Sequence, residues 1–247
     1  MIDIRRTGGV TVVGIEHGPV NAMDLELCEE LGAALTELGG EGRPLVLTGA
    51  GKAFSAGVDL RRIVDGGEEY VRRFVPALAA MFRVAFTLPV PLVTAVNGHA
   101  IAGGAVLAAA GDTVLMADGK GRIGLPEIRV GVAFPQSAFE IILARVGNVA
   151  TRRLIVGAEN HTPADAQALG LVDRVVEGEK LVDLAVEEAE ALGALTPPDA
   201  FAAAKELQRR ENLRRIDSAD DGPATDVWVR RVEDGWIARF LEEATRR

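Results

Sequence analysis

The sequence is short of residues that cross-link or ligate. Cys28 is the one cysteine in 247 residues, so an intramolecular disulfide is excluded. Its surroundings, Leu25-Glu26-Leu27-Cys28-Glu29-Glu30-Leu31, have a helical pattern in which a small buried thiol is the expected state, not a nucleophile. Only three histidines are present, His17, His99 and His161, and they are too dispersed for a ligand-spacing motif, so no metal site is expected. With eight Phe, two Trp and one Tyr, the core should be aliphatic and alanine-packed. The small-residue run from Ala100 to Ala110 is too short to span a bilayer, and Met1 to Arg6 leads into a strand-like run and not a signal sequence. A cytoplasmic protein with no membrane partner is expected. Positive charge is also in deficit. Lys and Arg number 27 against 36 Asp and Glu, a net charge of −9 that disfavours a nucleic-acid partner. Arg61-Arg62, Arg72-Arg73 and Arg152-Arg153 remain possible contacts for smaller anions.

What is present is a chain long enough for one sizeable domain, or a core with a small appendage, burying about 70–75% of its unfolded surface. Short apolar runs rich in β-branched residues predict strands at Val10–Ile15, Pro44–Thr48, Pro91–Val96, Asp112–Met116 and Leu171–Val176. Helical patterns fall between them, at Asp24–Leu38, about Gly67–Phe86, Gly103–Ala110, Ser137–Arg145 and Asn148–Val156. Thr162-Pro163 is an N-cap and N1 pair whose helix should stop at Gly170. This alternation predicts an α/β fold with parallel pairing, and some antiparallel hairpin near the amino terminus. After Pro197-Pro198 the pattern becomes purely helical, Asp199–Ile216 and Asp226–Ala244. Trp228, Val232, Trp236 and Phe240 recur every four residues there, as on one buried helix face.

Gly49-Ala50-Gly51-Lys52 is not a P-loop, because Val46 and Ala53 stand where Gly and Ser or Thr are required. A dinucleotide fingerprint fails at Phe54. Ser55 lacks the first glycine of a nucleophile elbow. With side-chain nucleophiles set aside, two strand-to-helix glycine turns remain, Ala56-Gly57-Val58 and Ala102-Gly103-Gly104. Their backbone N–H groups, at the positive end of a helix, could converge on one carbonyl oxygen. Equally, Gly103 and Gly104 could serve only close helix packing, and composition does not decide between the two.

Lys52–Leu60, Val96–Asp112 and Leu125-Pro126-Glu127-Ile128, with Asn21-Ala22-Met23 and Thr162–Val172, resemble in order and spacing the enoyl-CoA hydratase/isomerase (crotonase) superfamily over about residues 5–180. The resemblance implies a spiral of β-β-α units over residues 1–196. It also implies a helical region, 197–247, for oligomerisation and pocket closure. Trimers or paired trimers acting on acyl-CoA thioesters would follow, with coenzyme A as part of the substrate and no prosthetic group. Carried over by position, the oxyanion amides fall on Val58 and Gly103, and Glu127 is the catalytic carboxylate. Contacts to acyl-CoA fall on Ala22, Ala56, Val58, Asp59, Leu60, Arg61, Gly103, Val106, Pro126 and Phe134, with Arg62 an alternative to Arg61 for phosphate. Ile63–Phe86, Phe134–Ile142 and the helical tail would form the acyl pocket, and Arg61–Arg73 is a candidate cover. The departures matter most. Family hydratases carry a first carboxylate where this chain has Val106, and Gly131-Val132-Ala133-Phe134-Pro135 is closer to family isomerases. A single glutamate suits a proton shuttle, hence Δ3-Δ2 enoyl-CoA isomerisation, with 2-enoyl-CoA hydration or silent acyl-CoA binding as the alternatives.

Overall fold

Val10–Ile15 is buried at every position, the pattern of a strand covered on both faces. The computed structural model describes residues 1–195 and 197–245. In chain order its strands are β1 (Ile2–Thr7), β2 (Val10–Ile15), β3 (Leu45–Gly49), β4 (Ala53–Ser55), β5 (Leu92–Val96), β6 (His99–Ile101), β7 (Thr113–Ala117), β8 (Ile123–Gly124), β9 (Asn160–His161) and β10 (Arg174–Val176). The helices are α1 (Leu25–Gly40), α2 (Leu60–Thr87), α3 (Gly103–Ala109), α4 (Glu127–Val130), α5 (Gln136–Gly157), α6 (Pro163–Ala168), α7 (Leu181–Leu195), α8 (Pro198–Asp217), α9 (Gly222–Glu233) and α10 (Trp236–Thr245).

The strands form two sheets, ordered β1-β2-β3-β5-β7-β10 and β4-β6-β8-β9. The first is parallel except for the antiparallel β1-β2 pair, and the second is parallel except for β8-β9. The units β3-β4-α2, β5-β6-α3 and β7-β8-α4 therefore each add one strand to each sheet before a helix, which makes the chain a spiral of β-β-α turns. Alternation along the first sheet divides the core. Val13, Ile15, Leu45 and Leu47 face the main cluster, whereas Val10, Val12, Val46, Val93 and Ala95 pack with Leu181, Ala185 and Ala189 of α7.

Local chemistry fixes the boundaries. Asp24 caps α1 by accepting from the Leu27 amide at 2.9 Å, and Thr162 caps α6. The strand expected from Leu171 begins only at Arg174, because the Leu171 and Val172 amides are used in closing α6 through the Ala166 carbonyl. Helix α2 starts at Leu60, well before the expected Gly67, because Asp59 accepts from the Arg61 and Arg62 amides. The helical path then breaks at Gly67 (φ 65°, ψ −158°). The long helix expected over Asp226–Ala244 is two helices, separated by Gly235 at φ 69°. That turn rotates the second half. Trp228 and Ile237 are buried, and Trp236 is 44% exposed, so the four-residue stripe does not continue as one face. The division expected after residue 196 falls on Thr196, outside the described residues.

Candidate active site

The second sheet brings three separated motifs together. β4, β6 and β8 are adjacent parallel strands, and each ends at its carboxyl end in a turn that opens a helix: Ala56-Gly57-Val58 before α2, Ala102-Gly103 before α3, and Leu125-Pro126-Glu127 at α4. Ligands of parallel α/β sheets bind at these carboxyl ends.

Asn21-Ala22-Met23 braces the first turn. The Met23 amide donates to the Gly57 carbonyl at 2.7 Å, and the Asp59 amide donates to the Met23 carbonyl at 2.9 Å. In such a parallel bridge the intervening Val58 N–H faces away from the bonded strand. Asn21, buried, holds the Ala50 and Ala53 carbonyls through its amide. The Ser55 hydroxyl donates to the Asn21 carbonyl and accepts from the Gly57 amide, so it has a structural task. Gly57 sits at φ 85°, and a methyl there would come 2.5 Å from the Ile101 carbonyl and 3.4 Å from the Gly103 nitrogen. The two turns are thus in direct contact.

Gly103 is the first residue of α3, where an N–H has no partner within the helix. Ala102, before it, holds φ 51° and ψ −120°, a conformation that an L-residue rarely adopts and that sets the direction of the Gly103 amide. Among the described residues, neither the Val58 nor the Gly103 N–H donates to a protein acceptor. The two glycines of this turn have different reasons. A Cβ on Gly104 would meet the Ser55 carbonyl at 2.3 Å, so Gly104 permits packing, whereas Gly103 presents an amide.

Glu127 is 7% exposed, and among the described residues its Oε2 has no hydrogen-bond partner. Burial pushes its carboxyl up to about 8, against a smaller opposing effect of its own backbone N–H. Its neighbour Arg129 reaches the Gly157 carbonyl and does not pair with it. Glu127 lines a cavity of about 480 Å³ together with Val58, Gly103, Ala56, Leu60, Val106, Pro126 and Phe134. Ala22, Asp59 and Arg61 are outside that wall. Asp59 caps α2, and Arg61 is exposed. Of the other walls, Leu78 and Phe82 come from α2, Ala138 from α5, and Trp228 and Phe240 from the tail. Trp228 also donates from Nε1 to the Ala133 carbonyl at 2.9 Å, fixing the loop after α4. In the sequence these walls are legible only as the broad ranges Ile63–Phe86, Phe134–Ile142 and the helical tail. Arg129, Asn160 and Glu243, which also line the cavity, carried no local signal.

Two acceptor-free amides and one buried carboxylate around an apolar cavity form an apparatus that can hold a carbonyl oxygen while a proton moves beside it. The family described as Enoyl-CoA hydratase/isomerase matches residues 5–219. A Thermus thermophilus protein provisionally named an enoyl-CoA hydratase is 39% identical over 224 residues, 87% of this chain and 86% of the relative. The Arabidopsis thaliana protein named enoyl-CoA delta isomerase 3 is 32% identical over 188 residues, 72% and 76% of the two chains. The solved human mitochondrial delta3-delta2-enoyl-CoA isomerase superposes with a TM-score of 0.91 at 25% identity, covering 99% of this chain and 98% of that one. The fold is that of the crotonase superfamily of enzymes. The chain belongs to the enoyl-CoA hydratase/isomerase family.

Proposed function

We propose that this enzyme moves the double bond of a 3-enoyl-CoA to the 2-position, with the Val58 and Gly103 amides on the thioester oxygen and Glu127 as the only proton carrier. The observation that carries this reading is that Glu127 is the one buried titratable group on the cavity wall among the described residues, while Val106 is apolar and 1% exposed. Ionised Glu127 takes a C2 proton, and the electron pair moves onto the thioester oxygen as an enolate. The same carboxyl then returns a proton at C4, and the pair settles between C2 and C3. No atom is gained or lost. Each amide stabilises the oxyanion by about 3–4 kcal/mol on the scale of single-donor deletions.

Coenzyme A fits as part of the substrate. Leu60 belongs to the wall, and beyond it Arg61 has no side-chain partner among the described residues. Arg62 is engaged with Glu26 and lies over the Tyr70 ring. Arg61 is therefore the phosphate contact of this proposal. Asp59 and Ala22 support the turn rather than the ligand. The tail closes the pocket through Trp228 and Phe240, and the assembly is a trimer or a pair of trimers. Silent binding accounts poorly for Glu127, since burying a carboxyl group with an unpartnered oxygen costs stability that binding alone does not require.

Acyl-CoA substrates monitored separately for double-bond migration and water addition test the reading, and migration should predominate. Hydration is the runner-up, favoured by the name of the Thermus relative and by a second cavity carboxylate, the exposed Glu243. Hydration without migration would overturn isomerisation. The pH profile gives a second outcome. A base must be ionised, so kcat/KM for migration should rise with pH and level off above about 8, the value to which burial raises Glu127. A profile falling across that range would require a protonated Glu127.

Val106→Glu supplies the missing carboxylate. We expect water addition to a 2-enoyl-CoA to rise at least about ten-fold over the parent, a modest share of what a positioned acid/base contributes. Stability should fall by about 1–3 kcal/mol through burial of a second acid. No increase in water addition in a folded variant would show that Val106 does not determine the reaction.

A further inference from the structure

A second cavity, sharing no wall residue with the first, carries three cations on its wall. It has a volume of about 350 Å³ between the end of α3, the first half of α5 and the start of α8, and its walls include Asp112, Arg145, Lys205, Gln208 and Arg209. The Lys205, Arg209 and Arg145 side chains are 6%, 7% and 10% exposed. Such burial of three like charges in one place needs compensation.

The protein supplies it only in part. Asp112 bridges two of the cations, accepting from Lys205 Nζ at 2.7 Å and from Arg209 Nη2 at 2.9 Å. Lys205 also donates to the Val90 carbonyl, and Arg209 to the Phe86 carbonyl. Arg145 pairs through Nη2 with Asp173, a carboxylate that is 43% exposed and also accepts from the Val114 amide. Arg145 Nε is fully buried and has no partner among the described residues. Burial lowers Lys205 to about 8, Arg209 adds to that effect, and Asp112 offsets it. Burial likewise lowers Arg209, against an opposing effect of Asp112 and with a smaller lowering effect of Arg145.

We propose that this cavity binds a small tetrahedral oxyanion of the phosphate class, held by Arg145, Lys205 and Arg209. A dianion with several acceptor oxygens can take bonds from three diverging cations, and guanidinium forks suit it. A planar carboxylate is already present in Asp112, which still leaves the Arg145 Nε donor unmet. Bound there, the anion joins α8 to the body of the enzyme and stabilises the carboxyl-terminal helices.

The test is thermal unfolding and calorimetric titration of the intact protein with inorganic phosphate, against chloride at equal ionic strength and pH. Sodium acetate serves as the carboxylate arm. Saturating phosphate should raise Tm by about 3 °C or more relative to chloride, as expected for a ligand of the folded state. Gln208→Glu, on the exposed side of α8, brings a compensating carboxylate to the wall, and Arg145→Gln removes the unmet donor. Each should weaken phosphate binding roughly ten-fold or more, the loss of a charge-assisted bond. No phosphate effect beyond chloride, an equal effect of acetate, or an undiminished response in a folded Gln208→Glu protein would each overturn the proposal. Because that variant lies outside the catalytic cavity, its turnover of enoyl-CoA is expected to match the parent. The outcome is thus independent of the reaction proposed above.

Discussion

Glu127→Gln should lower kcat for double-bond migration by roughly 10³–10⁴-fold, the upper range for loss of a positioned acid/base, because no other buried group on the cavity wall can accept the C2 proton among the described residues. KM should change only a few-fold, since the amide keeps the shape of the carboxyl and leaves the Val58 and Gly103 donors in place. The same variant should be more stable than the parent. Glu127 ionises near 4.5 when unperturbed and near 8 in the fold, so between those values the folded state holds the extra proton. Its contribution to stability is present below about 4.5 and is lost as pH rises through about 8. At pH 7 a neutral glutamine avoids that loss, and a gain of about 3 kcal/mol is expected there, rising toward about 5 kcal/mol well above pH 8. Opposite movements of kcat and Tm would mark Glu127 as a group retained for chemistry at the expense of stability. Full turnover on both 3-enoyl and 2-enoyl substrates would remove it from the mechanism.

How much of this could be read in advance depended on whether the signal was local. Val10–Ile15 and Leu92–Val96 are mostly apolar and β-branched, a local pattern that marks a buried strand, and both are buried along their length. β4, β6 and β8 are two or three residues long, too short for an alternation to show, so the sheet that unites the site was invisible. Their glycine turns were legible as turns, and the resemblance supplied their order. Glu127, between Pro126 and Ile128, reads locally as a loop charge. The cavity that it lines is walled by α2, α5 and the tail, which no window of sequence contains. The tail shows the same limit from the other side. Trp228 and Phe240 do reach the cavity, but Gly235 breaks the helix that their spacing implied, and Ile237 takes the buried place expected of Trp236. Gly103 and Gly104 gave one ambiguous signal, and the structure separates them: a Cβ on Gly104 would meet the Ser55 carbonyl, whereas one on Gly103 would meet only the Met23 and Phe82 side chains.

Gly57→Ala should lower kcat by roughly 10²–10³-fold, about the effect of losing one oxyanion donor, while Glu127 is untouched. The methyl group would have to occupy space 2.5 Å from the Ile101 carbonyl, at a backbone φ of 85° that favours glycine. Backbone atoms cannot yield as a flexible side chain does, so the turn itself must shift, and with it the Val58 amide and its contact with the Gly103 turn. Strain of about 1–3 kcal/mol should lower Tm by roughly 3–10 °C for a chain of this size. Gly98→Ala is the matched control. Its methyl would meet the Lys52 carbonyl at 2.1 Å, an equally severe clash, yet Gly98 is not part of the cavity wall. The two variants should therefore lose similar stability, and only Gly57→Ala should lose turnover out of proportion to it. If both retained parental kcat below their melting temperatures, the thioester oxygen would not be bound at the Val58 amide. If both lost kcat equally, activity would be following stability, and the first turn would have no separate part in the reaction.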